Sequence, residues 1–205
     1  MSFTQTTPMN YDLVLASASP RRRDILEQMG VLHRIIIPKI DESQRSKESA
    51  SDYVCRLALE KACAGCTMHD GDRPVLGADT ILTCEGQVFG KPVDYSNFKA
   101  MFTSLSGKTH CVLSAVAIDN REESLVLLSE TWVAFRSITE QEMITYWETG
   151  EPKDKAGGYA IQGYGSVFVE HIKGSYSGVV GLPIAETCRL LTKFNVPIWQ
   201  SSIAE

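Results

Sequence analysis

Two long runs of apolar and small residues, His110–Ile118 and Leu125–Phe135, are separated only by a polar turn around Asn120. Runs this long with so short a connection pair side by side as antiparallel strands. Upstream the chain alternates instead. Tyr11–Ala16 reads as a buried strand, and Ser19-Pro20 as the N-cap and first residue of a helix that reaches about Met29 and stops at Gly30. Arg34–Ile37 is a second strand and Pro38–Ser49 a polar loop, while Ser51–Ala64 carries Val54, Leu57, Ala58 and Ala62 as a helical stripe. Pro74–Thr83 reads as a strand turning at Glu85-Gly86 into Val88-Phe89, and Tyr95–Leu105 as a helix. Thr139 with Glu142 makes a capping box for a helix ending near Gly150. A glycine-dense stretch, Ala156–Gly165, precedes a strand over Val167–Ile172 and a last helix opened by Pro183. Alternation asks for parallel pairing and the hairpins for antiparallel pairing, so the fold class is α/β with a mixed sheet. Without a repeat or a linker, one domain is expected over residues 11–200, with residues 1–10 as a disordered extension.

The 205 residues suffice for a substantial core, and a net charge of −5 argues against a general nucleic-acid or acidic-membrane binder. No apolar run approaches the roughly 20 residues of a membrane span. Met1–Asn10 is polar with no apolar h-region, so no secretory signal is expected and the chain reads as cytoplasmic. The six cysteines read as reduced, buried thiols. Cys63, Cys66 and His69 fall one ligand short of a structural zinc site, and helix-end packing is the simpler reading.

Chemistry gathers at a few places. In "LASASPRRRD", from Leu15 to Asp24, a strand ends in small residues at a helix N-terminus. Free N–H groups and the positive dipole end make this an anion site, and arginine adds bidentate contacts to phosphate. Successive helical residues diverge by about 100°, so Arg21, Arg22 and Arg23 cannot all reach one ligand; Ser17, Arg21 and Arg22 face the site and Arg23 the surface. Asp79, in "GADT", is an acid inside a strand pattern, which needs a partner, water or a metal. Lys91 follows the hairpin, and Glu42 sits in the polar loop where acids are usually just solvated. Lys61 lies beside the apolar stripe of its helix. In "KDKAGGYAIQG", Asp154, two lysines, a glycine pair and Gln162 combine charge, close backbone approach and an amide able to read a base edge. The histidines have no metal-ligand spacing, and neither a nucleophile elbow nor a Walker A motif occurs.

Taken in order, "LASASPRR", "GADT", "GKP", "DKAGGYAIQG" and "VVGLP" resemble the Maf family of nucleotide pyrophosphatases from about Asp12 to Pro197. The resemblance implies an elongated Maf/ITPase-like α/β domain with a mixed sheet and a deep cleft between two lobes. It also implies hydrolysis of a nucleoside triphosphate between its α and β phosphates, with a divalent metal cation, Mg²⁺ or Mn²⁺. Asp79 matches the proton acceptor, with Glu42 and Lys91 beside it as catalytic positions and Asp79 and Glu42 as metal ligands. Ser17, Arg22, Lys61 and Asp154 match polar cleft positions. Arg21, Thr80 and Gln162 agree with the pyrimidine branch, whose substrates are dTTP and UTP, with modified pyrimidine nucleotides as further candidates. The 7-methyl-GTP branch carries Trp, Gln and Glu at the corresponding places, which suits a cationic base. The implied role is housecleaning of the nucleotide pool by a homodimer that engages neither nucleic acid nor membrane. The alternative reading is a nucleotide-binding regulator of cell division without significant turnover.

Overall fold

The computed structural model describes residues 11–200, so the segment expected to be disordered, residues 1–10, lies outside them. In chain order the elements are β1 (Leu13–Ala16), α1 (Pro20–Gln28), β2 (His33–Ile36), α2 (Ala50–Met68), β3 (Val75–Cys84), β4 (Gln87–Phe89) and α3 (Tyr95–Leu105). They continue with β5 (Thr109–Asp119), β6 (Ser124–Phe135), α4 (Glu140–Glu148), β7 (Val169–Lys173), α5 (Tyr176–Val180) and α6 (Ile184–Lys193). The glycine-dense stretch between α4 and β7 forms 3₁₀ turns at Glu151–Asp154, Ala156–Gly158 and Tyr164–Phe168.

A single mixed sheet runs β2-β1-β3-β5-β6-β7, with β4 also on β3. β1 is parallel to β2 and β3, and every other pair is antiparallel. The expected long hairpin is present as β5 and β6, in register from Thr109↔Ala134 to Asp119↔Ser124. On the edge away from β5, β3 pairs with β1 only at Val75 and Leu76, and with β4 only from Leu82 to Cys84. Between them, Gly77–Ile81 has no strand partner on that edge among the described residues. The sheet opens at its middle.

β5 alternates between two cores, as a period of two requires. Val116 and Ile118 pack with Leu13, Leu15, Leu26, Leu190 and Leu191 under α1 and α6, while Leu113, Ala115 and Ala117 pack with Val54, Ala58 and Ala62 of α2. A third, aromatic cluster joins Phe98, Phe102, Phe135, Tyr146 and Phe168 beneath α3 and α4.

One glycine sets the distance between α2 and the sheet. A Cβ on Gly77 would stand 2.2 Å from Ala58 O and 2.5 Å from Ala62 N, so the helix rests on bare backbone there. Gly77→Ala is expected to push α2 off β3 and to cost about 1–3 kcal/mol, read as a fall in the urea midpoint with m unchanged.

The capping box at α4 forms as expected: Thr139 Oγ1 accepts from the Glu142 N–H, and the Glu142 carboxylate accepts from the Thr139 N–H at 2.8 Å. The Arg136 guanidinium, donating to Glu142 at 2.7 Å, is the chief cause that holds this carboxyl down at about 2; the Thr139 N–H and hydroxyl add to it. Its contribution to stability is therefore complete above the ordinary glutamate range and is lost as pH falls toward 2. Glu142→Gln is expected to melt lower than wild type at neutral pH, with the gap closing as pH approaches 2.5.

Several sequence-level expectations shift. α2 continues past Ala64 to Met68, and β7 begins only after the 3₁₀ turn that takes up Val167 and Phe168. The short helix α5 was not anticipated; its Ser175 side chain caps it by accepting from the Gly178 N–H. Ser19 occupies the N-cap of α1 but makes no side-chain cap bond. Among the described residues the cysteines are free; Cys66, Cys84 and Cys111 are buried as expected, but Cys55 and Cys188 are half-buried and Cys63 is exposed. Its thiol donates to Asp119 Oδ2 at 3.0 Å and that of Cys66 to Asp119 O at 3.2 Å. Burial first, then the bond to Asp119, pushes the Cys63 thiol up to about 11 and that of Cys66 to about 12. No group of three or more His, Cys, Asp or Glu among the described residues is arranged to hold a metal ion, so the Cys63–His69 stretch is helix-end packing.

Candidate active site

A cavity of about 540 Å³ opens at the gap in β3. Its lining includes all ten residues singled out above: Ser17, Arg21, Arg22, Glu42, Lys61, Asp79, Thr80, Lys91, Asp154 and Gln162. They come from six separate stretches of chain. Asp79 and Thr80 stand on the run of β3 that is paired only on its β5 edge. Ser17 to Arg22 arrive where β1 ends, on one side of the gap, and Lys91 follows β4 on the other. Asp154 and Gln162 come from the 3₁₀ stretch, which is tied to the Lys91 turn because the Gly157 N–H donates to Gly90 O at 2.9 Å.

Lys61 reaches the gap because α2 sits so close over Gly77. Its Nζ lies 2.6 Å from Asp79 Oδ1 and 2.8 Å from Glu42 Oε1, bridging two carboxylates. The Glu42 loop is held over it by Tyr53, whose hydroxyl donates to Glu42 O at 2.7 Å. Burial works to raise the Glu42 carboxyl, but the Lys61 bond and the charges of Lys61, Lys91 and Arg22 outweigh it, leaving it below the ordinary range. Both acids are thus aimed at one cation.

Arg22 is anchored rather than loose. Its Nε donates to Gly181 O at 2.9 Å and its Nη1 to Ser17 Oγ at 3.2 Å, while Ser17 Oγ also accepts from the Ser19 N–H at 3.1 Å. Burial lowers the Arg22 guanidinium below its usual value, and Asp79 and Glu42 work against that. Arg21 points elsewhere, 3.6 Å from Asp154 Oδ2, and Asp154 also pairs with Lys155. Burial would raise Asp154, but Lys155 and then Arg21 hold it low. Arg23 leaves the site altogether, bonded to Asp24 at 2.9 Å and near Glu27 on the surface. The three adjacent arginines have three separate fates.

Five cations (Arg21, Arg22, Lys61, Lys91 and Lys155) face three carboxylates (Glu42, Asp79 and Asp154), an excess of two positive charges in an otherwise acidic protein. That balance draws a polyanion of modest size. The hard carboxylate pair Glu42 and Asp79, each with its second oxygen free of hydrogen bonds among the described residues, suits Mg²⁺ or Mn²⁺ sharing its remaining sites with phosphate and water.

Sequence reasoning missed Tyr53 and Ser114, and noted Lys155 only as one of two lysines beside Asp154. Ser114 is the one hydroxyl within the apolar run Cys111–Ile118, and that oddity was its available signal.

Residues 12–194 match the family model described as Maf-like protein. A dTTP/UTP pyrophosphatase of Saccharophagus degradans is 49% identical over 193 residues, covering 93% of this chain and 92% of the relative. One of Salmonella typhimurium is 49% identical over 183 residues, covering 89% and 93% respectively. Among solved structures, the Ham1 protein of Staphylococcus aureus shares the fold with a TM-score of 0.52 at 12% identity, over 89% of this chain and 97% of that one.

Proposed function

The chain belongs to the Maf family, and from that premise we propose that it is a nucleoside triphosphate pyrophosphatase that hydrolyses dTTP and UTP to the monophosphate and pyrophosphate, clearing the nucleotide pool. The observation that carries this reading is the convergence of Asp79, on a strand segment paired along one edge only, with five cations in one cavity. Relatives nearly half identical over most of their length bear the same activity in their names.

The triphosphate lies with its charge against Arg22, Ser17, Lys61 and Lys91 and the first-turn N–H groups of α1. Ser19 supplies no side-chain cap there, so those donors are left to the ligand. A divalent cation, held by Glu42 and Asp79 with phosphate oxygens, would neutralise charge that builds as the phosphoanhydride breaks. Asp79 orients a water in line with the α-phosphorus and takes its proton. The new P–O bond forms as the bond to the bridging α–β oxygen breaks, and pyrophosphate leaves with the electron pair. Lys61 holds Asp79 in place through its 2.6 Å contact. Arg21 and Gln162, which also line the cleft, meet the pyrimidine.

The deciding experiment is a panel of nucleoside triphosphates with Mg²⁺ or Mn²⁺, with pyrophosphate and orthophosphate measured separately. Pyrophosphate release that peaks on dTTP and UTP and disappears with chelator is the expected result. Orthophosphate as first product, or preference for a methylated guanine nucleotide, would overturn it. Nucleotide binding without turnover would favour a regulator instead.

A further inference from the structure

Glu42 stands in the chain between β2 and α2, residues 37–49, which forms no helix or strand. Among the described residues its one internal main-chain bond runs from the Glu48 N–H to Arg45 O at 3.2 Å. A loop so thinly bonded does not by itself keep a carboxylate in one place. The fastening comes from α2. Tyr53 donates to the Glu42 carbonyl, and one turn on, Arg56 Nη2 donates to the next carbonyl, Ser43 O, at 3.0 Å. The same guanidinium grips Glu48 fork to fork, Nε to Oε1 at 2.6 Å and Nη2 to Oε2 at 2.9 Å. Its Nη1 donates to Glu60 Oε2 at 3.1 Å. Glu48 in turn accepts from the Arg45 N–H at 2.9 Å. Every guanidinium nitrogen is thus spent inside the protein; the Arg56 side chain is 12% exposed and that of Glu48 9%. Glu42, Tyr53 and Lys61 line the cavity, whereas Arg56 does not. It can act on the reaction only through the loop.

We propose that Arg56 is a positioning residue for the reaction: its fork on Glu48 and its bond to Ser43 O hold the loop so that Glu42 stands ready beside Asp79 for a divalent cation. This rests on the pyrophosphatase reading above, in which those two carboxylates hold Mg²⁺ or Mn²⁺. Two adjacent carbonyls, Glu42 O and Ser43 O, are pinned to one helix, and the Glu42 carboxylate meets Lys61 of that same helix at 2.8 Å. Lysine does not replace arginine here, because one ammonium cannot grip both Glu48 oxygens and Ser43 O in a single plane. With the fork lost, Glu42 occupies its place only part of the time, and the apparent cation affinity falls by that fraction. At saturating cation the loop is held again and turnover returns. Phosphate binding is spared, since Arg22 and Ser17 are fastened by Gly181 and by each other, away from this loop.

The test compares the intact chain with Arg56→Lys, Glu42→Gln and the double variant, using UTP and Mn²⁺. Arg56→Lys is expected to need about tenfold more Mn²⁺ for half-maximal pyrophosphate release, with kcat at saturating Mn²⁺ and KM for UTP within about threefold of wild type. Glu42→Gln should raise the Mn²⁺ requirement at least as far. Adding Arg56→Lys to it should then change that requirement by less than about twofold, because both act through one carboxylate. A second readout needs neither metal nor turnover. In metal-free protein, trypsin should cut after the exposed Lys39, Arg45 or Lys47 at least about fivefold faster in Arg56→Lys than in wild type. An unchanged Mn²⁺ requirement or cleavage rate in Arg56→Lys, or a full tenfold rise in the Glu42→Gln background, would overturn the inference and leave the pyrophosphatase reading standing. So would an unmoved requirement in Glu42→Gln, which would remove Glu42 from the cation. Absence of pyrophosphate release from every nucleotide would instead bring down that reading, and this inference with it. Should Arg56→Lys fail to fold, Glu48→Gln, which breaks the fork from its other side, decides the matter on the same two readouts.

Discussion

Asp79→Asn is expected to lower kcat on UTP by about 10³-fold while nucleotide affinity stays within a few-fold. The side chains have nearly the same shape, so the strand and its neighbours are undisturbed. What goes is the ability to take a proton from water, together with the charge that Lys61 pairs with at 2.6 Å. Affinity survives because Arg22, Ser17 and the start of α1 are held by Gly181 and by each other, not by Asp79. Pyrophosphate release gives the rate, and calorimetry on the inactive variant gives the binding. A variant with a few-fold loss of kcat would remove Asp79 from the proton transfer.

Lys61→Met should be nearly as damaging to turnover and more damaging to the fold. Lys61 is 12% exposed and Asp79 14%, so deletion strands an acid in a half-desolvated cleft beside a second one. Losing one partner of such a pair costs about 3 kcal/mol, a drop in Tm of roughly 6–12 °C at this chain length. The pH dependence should flatten. In wild type Glu42 is held below its ordinary range, so its share of stability is full above that range and drains away as pH falls through it. Without Lys61 the bond and the first-named charge that hold Glu42 low are gone, so that share shrinks at neutral pH. The gap between variant and wild type is therefore expected to narrow as pH falls from 7 toward 3. Melting curves at the two pH values check the sign.

The parts of the fold legible in the sequence were those specified locally. Tyr95–Leu105 is bounded as its apolar spacing indicates, the Thr139–Glu142 box closes as written, and Glu85-Gly86 makes its turn with both residues at positive φ. α5 was invisible because five residues rich in serine, glycine and valine have no helical stripe; its Gly178 carbonyl is held by Ser114, 64 positions away. The site divides in the same way. The anion-binding start of α1 and the acid in β3 are readable from residue types alone. Glu42 and Lys61 are not: the first looks like a solvated loop acid, the second like the flank of a helix. Only the resemblance nominated them. Their meeting depends on a strand register and on Gly77 letting α2 settle against β3, both tertiary facts. The gap in β3 that makes the cleft is likewise a matter of where two neighbouring strands end.

The Arg22–Gly181 bond joins residues 159 positions apart. During synthesis the arginine leaves the ribosome 159 residues ahead of its anchor, and until Gly181 is made this cationic turn lacks the bond that fixes its pose. Contacts of such long range also form slowly. Recovery of activity after dilution from denaturant should therefore lag behind the return of helical signal, reporting the moment when the two ends of the chain find each other.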